Sequence, residues 1–450
     1  MNIVIFGGTG DLAYKKLFPA IYQLYKKQIP AEDMHIYGIG SRPLSDDEYK
    51  RRIAENIGLY VKDPEQAYTW AANKAEIRYI QGDVSLPETY RLLSGYISQA
   101  DGSIFYLAVM PEYFGNIADG LLQEGLNKSG KIAVEKPLGW DLETSEAVND
   151  ALARAFPEKE IYRIDHYLGK EMTGNILVLR FANGLFDPLL NDRHIGRIRI
   201  YINEESGVLN RGRYYDRAGA IRDMVQNHIL QLLCLAVMEK PASLLPEHVS
   251  AEKIKVLEAL RFSGARDLVL GQYEGYCSES GVSEDSNTET FAALKVNMGN
   301  ARWSDTCIYL QTGKMLDEKS AHIEYEFRKG AVNIFGDSLR NNKLSIRIQP
   351  EEGVSMDLNV IMPGSPNEIA NAEMKYCQPC SYGINSREAY EKLLHDMIAG
   401  DKASFTSREE VRQSWIFTDK VMKTADTYRK ELLQIYEQGG KGPDTGKIVP

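Results

Sequence analysis

The sequence predicts an α/β domain with a doubly wound parallel sheet, followed by a larger α+β domain built on a mainly antiparallel sheet. Two observations predict this architecture. Short apolar runs alternate with helical patterns through residues 1–164, whereas period-two runs follow one another after about residue 285. Strands separated by helices pair in parallel, and successive strands without helices pair antiparallel. We therefore divide the chain into residues 1–164 and residues 165–450.

The first domain begins with an apolar run, Ile3 to Phe6, that ends in glycines and leads into a helical pattern from Asp11 to Lys27. A second apolar run starts at His35, and Ser45 to Glu48 has the capping-box pattern that opens a helix. The remaining strands and helices are predicted at residues 77–80, 87–98, 103–109, 111–125 and 131–134. Right-handed crossovers between parallel strands place the ligand at the carboxyl ends of those strands.

The second domain has a different order of elements. A long helix is predicted from about Gly219 to Met238, and period-two runs follow at residues 321–327 and 344–348. Helical patterns return at residues 386–398 and from Ser407 to about Glu437. This order is typical of an α+β domain.

Charge and composition exclude several classes of protein. The 450 residues include 53 basic and 63 acidic side chains, for a net charge of −10. An acidic chain lacks the basic face that phosphate backbones require, so we expect no nucleic-acid partner. No apolar stretch reaches the roughly 20 residues of a membrane span, and the N-terminus lacks a signal-peptide pattern. We therefore expect a cytoplasmic protein with no membrane partner.

The five cysteines do not suggest a disulfide framework. Cys377 and Cys380 form a lone CxxC, which is compatible with a metal or redox site and with two thiols beside a turn. We favour the two thiols, because no second pair of cysteines accompanies this one and it does not open a helix after an N-terminal strand. We expect no metal site in this chain.

A glycine-rich loop follows the first strand directly and opens a helix. Glycines let the backbone approach a pyrophosphate, and the amides at the helix N-terminus stabilise its charge. A structural glycine turn has a similar pattern, but the position after the first strand of a βαβ unit favours a Rossmann-like dinucleotide site. The predicted cofactor contacts are Gly7, Gly8, Thr9, Gly10, Asp11 and Leu12.

The end of the second strand bears on the choice of cofactor. NAD-selective sites usually place a carboxylate there for the ribose 2′-hydroxyl, but this segment has no acid before Asp46. Arg42 offers a guanidinium and Ser41 a hydroxyl, and both suit a 2′-phosphate. The alternative is a solvated arginine in a turn. NADP is favoured, and use of NAD stays open.

Three later segments are more specific in combination than any one alone. They are Glu135-Lys136-Pro137-Leu138-Gly139, Arg163-Ile164-Asp165-His166-Tyr167-Leu168-Gly169-Lys170-Glu171 and Arg222-Asp223-Met224-Val225-Gln226-Asn227-His228. With the glycine loop, these segments closely resemble the glucose-6-phosphate dehydrogenase family, and the resemblance covers nearly the whole chain.

The resemblance implies oxidation of C1 of β-D-glucose 6-phosphate to 6-phospho-D-glucono-1,5-lactone, with hydride transfer to NADP⁺. This is the first step of the pentose phosphate pathway. Residues 1–164 would then bind the dinucleotide, and residues 165–450 would bind substrate and form the dimer. Family members are commonly dimers, so we expect a homodimer or a dimer of dimers.

A second predicted feature is a phosphate site after residue 164. His166 and Lys170 are spaced i, i+4, which brings both side chains to one face of a helical turn. A histidine and a lysine near a helix N-terminus suit a dianion, and Tyr167 adds a hydroxyl. The alternative is a capped helix with a surface lysine. The resemblance makes His166, Tyr167 and Lys170 the 6-phosphate site.

Oxidation of a sugar hydroxyl needs a base, and histidine suits this because its ordinary pKa is roughly 6.5. His228 lies among apolar residues of the predicted long helix, so spacing alone leaves a base and a core histidine equally open. The resemblance makes His228 the base and Asp165 the carboxylate that orients it.

The remaining assignments rest mainly on the resemblance. It implies that Lys136 positions both substrate and coenzyme, and that two carboxylates accept hydrogen bonds from sugar hydroxyls. Two further lysines lie on the substrate side, with solvated loop cations as the alternative. The substrate-binding residues assigned in this way are Lys136, Glu204, Asp223, Lys314 and Lys319.

Several positions depart from the family pattern. Ser41 stands where an arginine is usual, Tyr14 where a basic residue is usual, and Gln311 where an arginine commonly precedes Thr-Gly-Lys. Met110 and Glu112 change the turn after the fourth strand. The departures motivate an alternative, a paralogue acting on another phosphorylated or amino-substituted hexose with NAD. A non-catalytic NADPH sensor would have lost the base and the phosphate residues, which are present.

Overall fold

The computed structural model of the chain describes residues 1–30, 34–97, 102–329, 335, 339–365, 368–382 and 388–448. The chain divides into two compact units. The first unit comprises Met1–Lys170, Leu244–Pro246 and Arg387–Arg412. The second unit comprises Glu171–Ser243, Glu247–Ser386 and Gln413–Pro450.

The strands are β1 (Asn2–Phe6), β2 (His35–Gly40), β3 (Glu76–Gln81), β4 (Ser103–Leu107), β5 (Gly130–Val134), β6 (Ile161–Ile164), β7 (Ile195–Asn203), β8 (Leu260–Arg261), β9 (Leu268–Tyr273), β10 (Phe291–Met298), β11 (Cys307–Gly313), β12 (Ser320–Phe327), β13 (Lys343–Gln349), β14 (Gly353–Ile361), β15 (Ile369–Cys377), β16 (Phe405–Thr406) and β17 (Leu433–Tyr436). The α-helices are α1 (Phe18–Lys26), α2 (Asp46–Ile57), α3 (Pro64–Thr69), α4 (Pro87–Ser94), α5 (Phe114–Gln123), α6 (Leu142–Ala155), α7 (Glu171–Ala182), α8 (Gly212–Ala220), α9 (Leu230–Val237), α10 (Pro246–Ala259), α11 (Gln378–Tyr382), α12 (Ala389–Ala399) and α13 (Arg408–Leu432). Segments of π-helix cover Ala13–Leu17, Trp70–Lys74 and Ile221–Ile229. Among the described residues, no helix is both long enough and apolar enough to cross a membrane.

The first unit is built on a seven-stranded sheet with the order β16-β6-β5-β4-β1-β2-β3. The strands β1 to β6 are parallel, and β16 is antiparallel to β6. The chain runs outward from β1 through β2 and β3, then returns to β4 on the other side of β1. This reversal confirms the predicted doubly wound sheet. It also locates the ligand crevice at the carboxyl ends of β1 and β4.

A segment near the C-terminus completes the core of the first unit. Leu393, Leu394 and Met397 on α12 are buried in that core, and Phe405 packs edge-on against Tyr162 with ring centres 4.8 Å apart. From the sequence, this segment falls within the second domain. The pattern of α12 shows which of its faces is apolar, but not which sheet receives that face.

The second unit is built on a sheet with the order β15-β14-β13-β12-β7-β11-β10-β9-β17, and β8 pairs with β10. Its pairs are antiparallel except for β7 with β11 and β9 with β17. The predicted period-two runs at 321–327 and 344–348 are confirmed as β12 and β13. The mainly antiparallel α+β prediction is therefore confirmed.

Two predicted helices differ from the structure. The helix predicted from Gly219 begins only at Ile221, because Gly219 has φ +66°, and its first nine residues are π-helical. The helix predicted to end near Glu437 ends at Leu432, and Leu433–Tyr436 form β17 alongside β9. The second prediction was wrong because pairing with a sheet edge satisfies these backbone groups outside a helix.

The expectation of two thiols at the CxxC was also wrong. Cys377 and Cys380 form a disulfide with their Cα atoms 5.2 Å apart. The chain turns from the end of β15 into α11 within these residues, which brings the two side chains within bonding range.

Candidate active site

The glycine loop after β1 is held by backbone hydrogen bonds. The N–H groups of Gly7 and Gly8 both donate to the Ile39 carbonyl oxygen at 2.9 Å. Gly7 has φ +81°, and a Cβ there would lie 2.3 Å from the Ala108 carbonyl oxygen. At Gly8 a Cβ would lie 2.6 Å from the Tyr49 hydroxyl oxygen. No side chain larger than hydrogen fits at these two positions, because the loop backbone packs closely against Ala108 and Tyr49.

The helix that follows the loop begins at Asp11. The Asp11 side chain is exposed and pairs with Lys15 at 2.6 Å, and Leu12 packs against the core of the first unit. These two residues therefore offer a cofactor mainly their backbone N–H groups, as expected of a helix N-terminus that binds an anion. The loop thus fits a dinucleotide pyrophosphate.

The end of β2 provides the groups predicted to face the 2′-position. Ser41 and Arg42 are both exposed, and the Tyr79 hydroxyl donates to the Arg42 carbonyl oxygen at 2.8 Å. The carboxylate of Asp46, the first acid after β2, accepts a hydrogen bond from the Tyr79 backbone N–H at 2.7 Å. This segment therefore presents a cation at the strand end, while its first carboxylate is engaged by β3.

Lys136 follows the end of β5, two strands from β1 in the sheet, and is half-buried. The preceding residue, Glu135, accepts a hydrogen bond from the Tyr106 hydroxyl at 2.6 Å. Burial raises the pKa of Glu135, and the hydrogen bond from Tyr106 and the charge of Lys136 oppose that rise. Lys136 thus lies next to a partly desolvated acid, at the carboxyl ends of the strands, where the coenzyme is predicted to bind.

The segment after β6 follows a strand end that the side-chain contacts of Arg163 hold in place. Arg163 is fully buried and binds Glu158 through two hydrogen bonds, of 2.7 and 2.9 Å, while its Nε donates to Asn149 at 2.8 Å. Asp165 is 3% exposed, and one of its oxygens accepts the Tyr167 backbone N–H at 2.9 Å. The Asp165 carboxylate is therefore held at the start of the turn that follows.

His166, Tyr167 and Lys170 lie in this turn, close together. The His166 and Tyr167 ring centres are 4.9 Å apart, and Lys170 Nζ is 5.6 Å from the Tyr167 ring centre. The predicted helical turn was wrong, because the segment forms non-helical turns and α7 begins only at Glu171. At Gly169 a Cβ would lie 2.7 Å from the Ala389 carbonyl oxygen, so the backbone here follows α12 closely.

His228 and Asp223 lie in the π-helical segment of the second unit. Both are buried, with 0% and 4% of their surfaces exposed. A π-helix makes i→i+5 hydrogen bonds, so residues five apart lie above one another. The π-helix therefore brings Asp223 and His228 to one face, whereas an α-helix would turn them well apart. The Tyr214 hydroxyl donates to Asp223 at 3.0 Å.

A cluster of Glu204, Lys314, Tyr215 and Asp223, called here the carboxylate cluster, lies at the ends of β7 and β11. The parallel register aligns Asn203 with Gly313, which sets Glu204 and Lys314 side by side with their charged groups 2.5 Å apart. Lys314 Nζ lies 5.0 Å from the Tyr215 ring centre. Burial raises the pKa of Tyr215, and the charges of Asp223 and Glu204 raise it further. The cluster therefore presents carboxylates, one ammonium and a neutral phenol.

Lys319, the other predicted substrate-side lysine, is exposed in the loop before β12. Its backbone N–H donates to Glu205 at 3.3 Å. Gln311 instead lies within β11, where its side chain donates to Asn203 at 3.4 Å.

Sequence reasoning missed the tyrosines that support both parts of the site. Tyr49 fills the space left by Gly8, in the loop after β1, and by Gly38 on β2, and two glycines beside paired strands are a signal of a large neighbour. Tyr214 and Tyr215 gave no such signal, because their contacts with Asp223 and Lys314 depend on how α8 packs against the π-helical segment and the end of β11.

Comparison with known proteins identifies the family. The family model described as glucose-6-phosphate dehydrogenase, NAD binding domain, matches residues 4–175. The model described as glucose-6-phosphate dehydrogenase, C-terminal domain, matches residues 177–449. Glucose-6-phosphate 1-dehydrogenase of Bacillus subtilis (strain 168) is 39% identical over 468 residues, covering 98% of this chain and 94% of the relative. Glucose-6-phosphate 1-dehydrogenase 6, cytoplasmic, of Arabidopsis thaliana is 37% identical and covers 98% of this chain and 89% of the relative.

Solved structures agree with this result. A glucose-6-phosphate dehydrogenase in complex with its substrate glucose-6-phosphate has a TM-score of 0.90 and 33% identity, covering 100% of this chain and 96% of that chain. Glucose-6-phosphate 1-dehydrogenase from Mycobacterium avium has a TM-score of 0.88 and 31% identity, covering 98% and 94%. A levoglucosan dehydrogenase, at 12% identity and a TM-score of 0.55, shares the fold alone. These matches confirm the resemblance, and the chain belongs to the glucose-6-phosphate dehydrogenase family.

Proposed function

We infer that this protein oxidises β-D-glucose 6-phosphate at C1 to 6-phospho-D-glucono-1,5-lactone and passes the hydride to NADP⁺, the first step of the pentose phosphate pathway. One observation carries this inference. A substrate-bound glucose-6-phosphate dehydrogenase matches the whole chain at a TM-score of 0.90. The bound coenzyme supplies the hydride acceptor.

The chemistry requires that two bonds break together. The C1–H bond breaks with its electron pair going to the coenzyme, the O–H proton leaves to a base, and the C1–O bond becomes a carbonyl. We assign the proton to His228, with Asp165 orienting the ring and stabilising its protonated form. His228 is fully buried, and packing on all sides limits the rotation of its ring.

The two ends of the sugar phosphate need different groups. His166, Tyr167 and Lys170, which one turn brings together, suit the phosphate dianion. Glu204 and Asp223 suit the sugar hydroxyls as hydrogen-bond acceptors, with Lys314 balancing the Glu204 charge at 2.5 Å. We assign further contacts to Lys136, between substrate and coenzyme, and to Lys319 on the phosphate side.

The coenzyme is assigned to the first unit. The backbone of Gly7 to Leu12 would hold the pyrophosphate, and Ser41 and Arg42 would hold the 2′-phosphate. We also propose a homodimer or dimer of dimers in the cytoplasm. The names of two Arabidopsis thaliana relatives, given as cytoplasmic, support the compartment.

The base assignment is tested by His228→Asn. We expect kcat to fall by about 10²–10⁴-fold with little change in the Kd for glucose 6-phosphate, because the variant loses proton acceptance and not the phosphate contacts. Stopped-flow kinetics and calorimetric binding measure the two quantities. His194→Asn, at an exposed imidazole, is the matched control. Near-normal turnover in His228→Asn would contradict the assignment.

A further inference from the structure

Glu289 lies at the start of the π-helical segment Ile221–Ile229 and is only 1% exposed. Its carbonyl oxygen accepts the Ala220 N–H at 2.9 Å, and its carboxylate accepts the Ile221 N–H at 3.3 Å. The first N–H groups of a helix have no partner within the helix, and a negative charge is favourable beside them. A single residue from outside the helix therefore holds the first turn of the segment that carries the proposed base.

Gly219 leaves the space that the Glu289 carboxylate occupies. A Cβ at Gly219 would lie 2.3 Å from Glu289 Oε1 and 2.7 Å from Glu289 Cδ. The backbone of Gly219 also has φ +66°, which separates α8 from the π-helical segment. The chain therefore turns directly against this carboxylate before the segment begins.

The buried charge of Glu289 is balanced by Arg429 of α13. Arg429 Nη1 donates to the second carboxylate oxygen of Glu289 at 2.6 Å and to the Asn287 carbonyl oxygen at 3.1 Å. Arg429 Nη2 donates to Asp426 at 2.8 Å, and the Asp426 side chain is 61% exposed. A buried carboxylate without a cation is costly, so Arg429 compensates the charge that Glu289 brings to the helix start.

Thr290, the next residue, connects the helix start to the carboxylate cluster. Its carbonyl oxygen accepts the Lys314 N–H at 3.0 Å. The Tyr436 hydroxyl is hydrogen-bonded to Thr290 Oγ1 at 2.9 Å and donates to the Lys314 carbonyl oxygen at 2.7 Å. Two consecutive residues therefore hold the first turn of the π-helical segment and the backbone of Lys314 in a fixed relation.

We propose that Glu289 is a positioning residue for the reaction, which fixes the start of the π-helical segment and thereby the placement of Asp223 and His228. This inference rests on the proposed function, in which Asp223 binds the sugar and His228 takes the proton. The direction of each helical side chain follows from where the helix starts and from the spacing of its hydrogen bonds. Loss of the Glu289 carboxylate should therefore misplace both groups and leave coenzyme binding by the first unit unchanged.

The test compares Glu289→Met, Glu289→Gln and Asp426→Asn. Glu289→Met keeps a long side chain but has no acceptor for the Ile221 N–H. We expect its kcat/KM for glucose 6-phosphate to fall about tenfold or more, because a charge-assisted hydrogen bond is lost, with the KM for NADP⁺ unchanged. Glu289→Gln keeps one acceptor oxygen and should recover part of that loss. Asp426→Asn removes the other carboxylate partner of Arg429 and should match the wild type.

Binding measurements on the folded variants separate positioning from a loss of fold. Circular dichroism establishes which variants fold, and calorimetry measures their affinities for glucose 6-phosphate and for NADP⁺. We expect only the affinity for glucose 6-phosphate to weaken, and if Glu289→Met does not fold, the same result is expected of Glu289→Gln at about threefold. Equal weakening of both affinities in a folded variant, wild-type kinetics in both Glu289 variants, or the same loss in Asp426→Asn would overturn the proposal. Absence of glucose 6-phosphate oxidation in the wild type would instead overturn the proposed function.

Discussion

The glycine loop of the first unit and the carboxylate cluster of the second unit are built in different ways. The loop is contiguous, and in our proposal its backbone supplies the coenzyme contacts, since side chains are excluded at Gly7 and Gly8. The carboxylate cluster draws on the ends of β7 and β11, on α8 and on a π-helical segment. The groups that we propose to bind the sugar there are side chains, held by strand register and helix phase. The loop should therefore be sensitive to any added atom, and the cluster to loss of a single partner.

Among the substitutions that compare the loop with the cluster, the largest effect is expected from Gly7→Ala. The residue has φ +81° and a Cβ there would lie 2.3 Å from the Ala108 carbonyl oxygen, so strain and a clash coincide. We expect the free energy of unfolding to fall by about 1–3 kcal/mol or more, and coenzyme affinity to fall at least about tenfold. Denaturant unfolding and coenzyme titration measure both. Gly174→Ala, where the structure has open space within α7, should be neutral or stabilising. Equal effects of the two substitutions would contradict the backbone account.

The next largest effect is expected from Lys314→Met. This variant leaves Glu204 without the ammonium that lies 2.5 Å from it, and the pair is only partly exposed. We expect the KM for glucose 6-phosphate to rise about tenfold, in line with loss of one charged hydrogen bond. Lys319→Met, at an exposed loop lysine, should raise that KM less. If the loop lysine has the larger effect, the cluster is not the sugar site.

A smaller effect is expected from Tyr214→Phe. The substitution removes the hydroxyl that donates to Asp223 at 3.0 Å and leaves the ring in place. We expect kcat/KM for glucose 6-phosphate to fall about three- to tenfold, because a hydrogen bond of about 0.5–1.5 kcal/mol no longer orients the carboxylate. Tyr428→Phe, at an exposed tyrosine, is the control. Steady-state kinetics measures kcat/KM for both variants, and an equal value in the two would contradict this role for the Tyr214 hydroxyl.

A last prediction concerns stability alone, through pH and the C-terminal segment of the first unit. Burial lowers the pKa of Lys402 to about 8, and its ammonium donates to the Ile161 carbonyl oxygen at 2.8 Å. Between that pKa and the ordinary value of 10.5, the unfolded chain binds more protons than the folded chain. Stability from this group therefore rises with pH above about 8, by at most about 1.4 kcal/mol per pH unit. Urea unfolding at pH 7.5 to about 9.5 measures the free energy of unfolding as a function of pH. In Lys402→Met the part of the slope that comes from this group should be lost, and a slope equal to that of the wild type would refute the assignment.

The sequence predicted the glycine loop but not the arrangement of the carboxylate cluster. The glycine loop, the doubly wound sheet and the strands at 321–327 and 344–348 were predicted because their signals are local: glycine spacing and period-two patterns. The π-helical phase that aligns Asp223 with His228 and the alignment of Asn203 with Gly313 were not predicted. Neither has a local sequence signal, because helix phase and strand register are settled by packing against distant residues.

The same reasoning explains the errors. The strand at Leu433–Tyr436 continues a helical pattern, and only the free edge of β9 draws it into the sheet. The disulfide between Cys377 and Cys380 depends on a turn that the composition does not reveal.

The central claim is that a hexose phosphorylated at O6 is oxidised at C1 with NADP⁺. The most direct test is the wild-type kcat/KM for glucose 6-phosphate, galactose 6-phosphate, glucosamine 6-phosphate and unphosphorylated glucose, each with NADP⁺ and with NAD⁺. We predict the highest value for glucose 6-phosphate with NADP⁺, and for glucose a value lower by at least about a hundredfold, because the phosphate contacts are lost. A higher kcat/KM for an amino-substituted or epimeric hexose phosphate would contradict the claim and favour the paralogue.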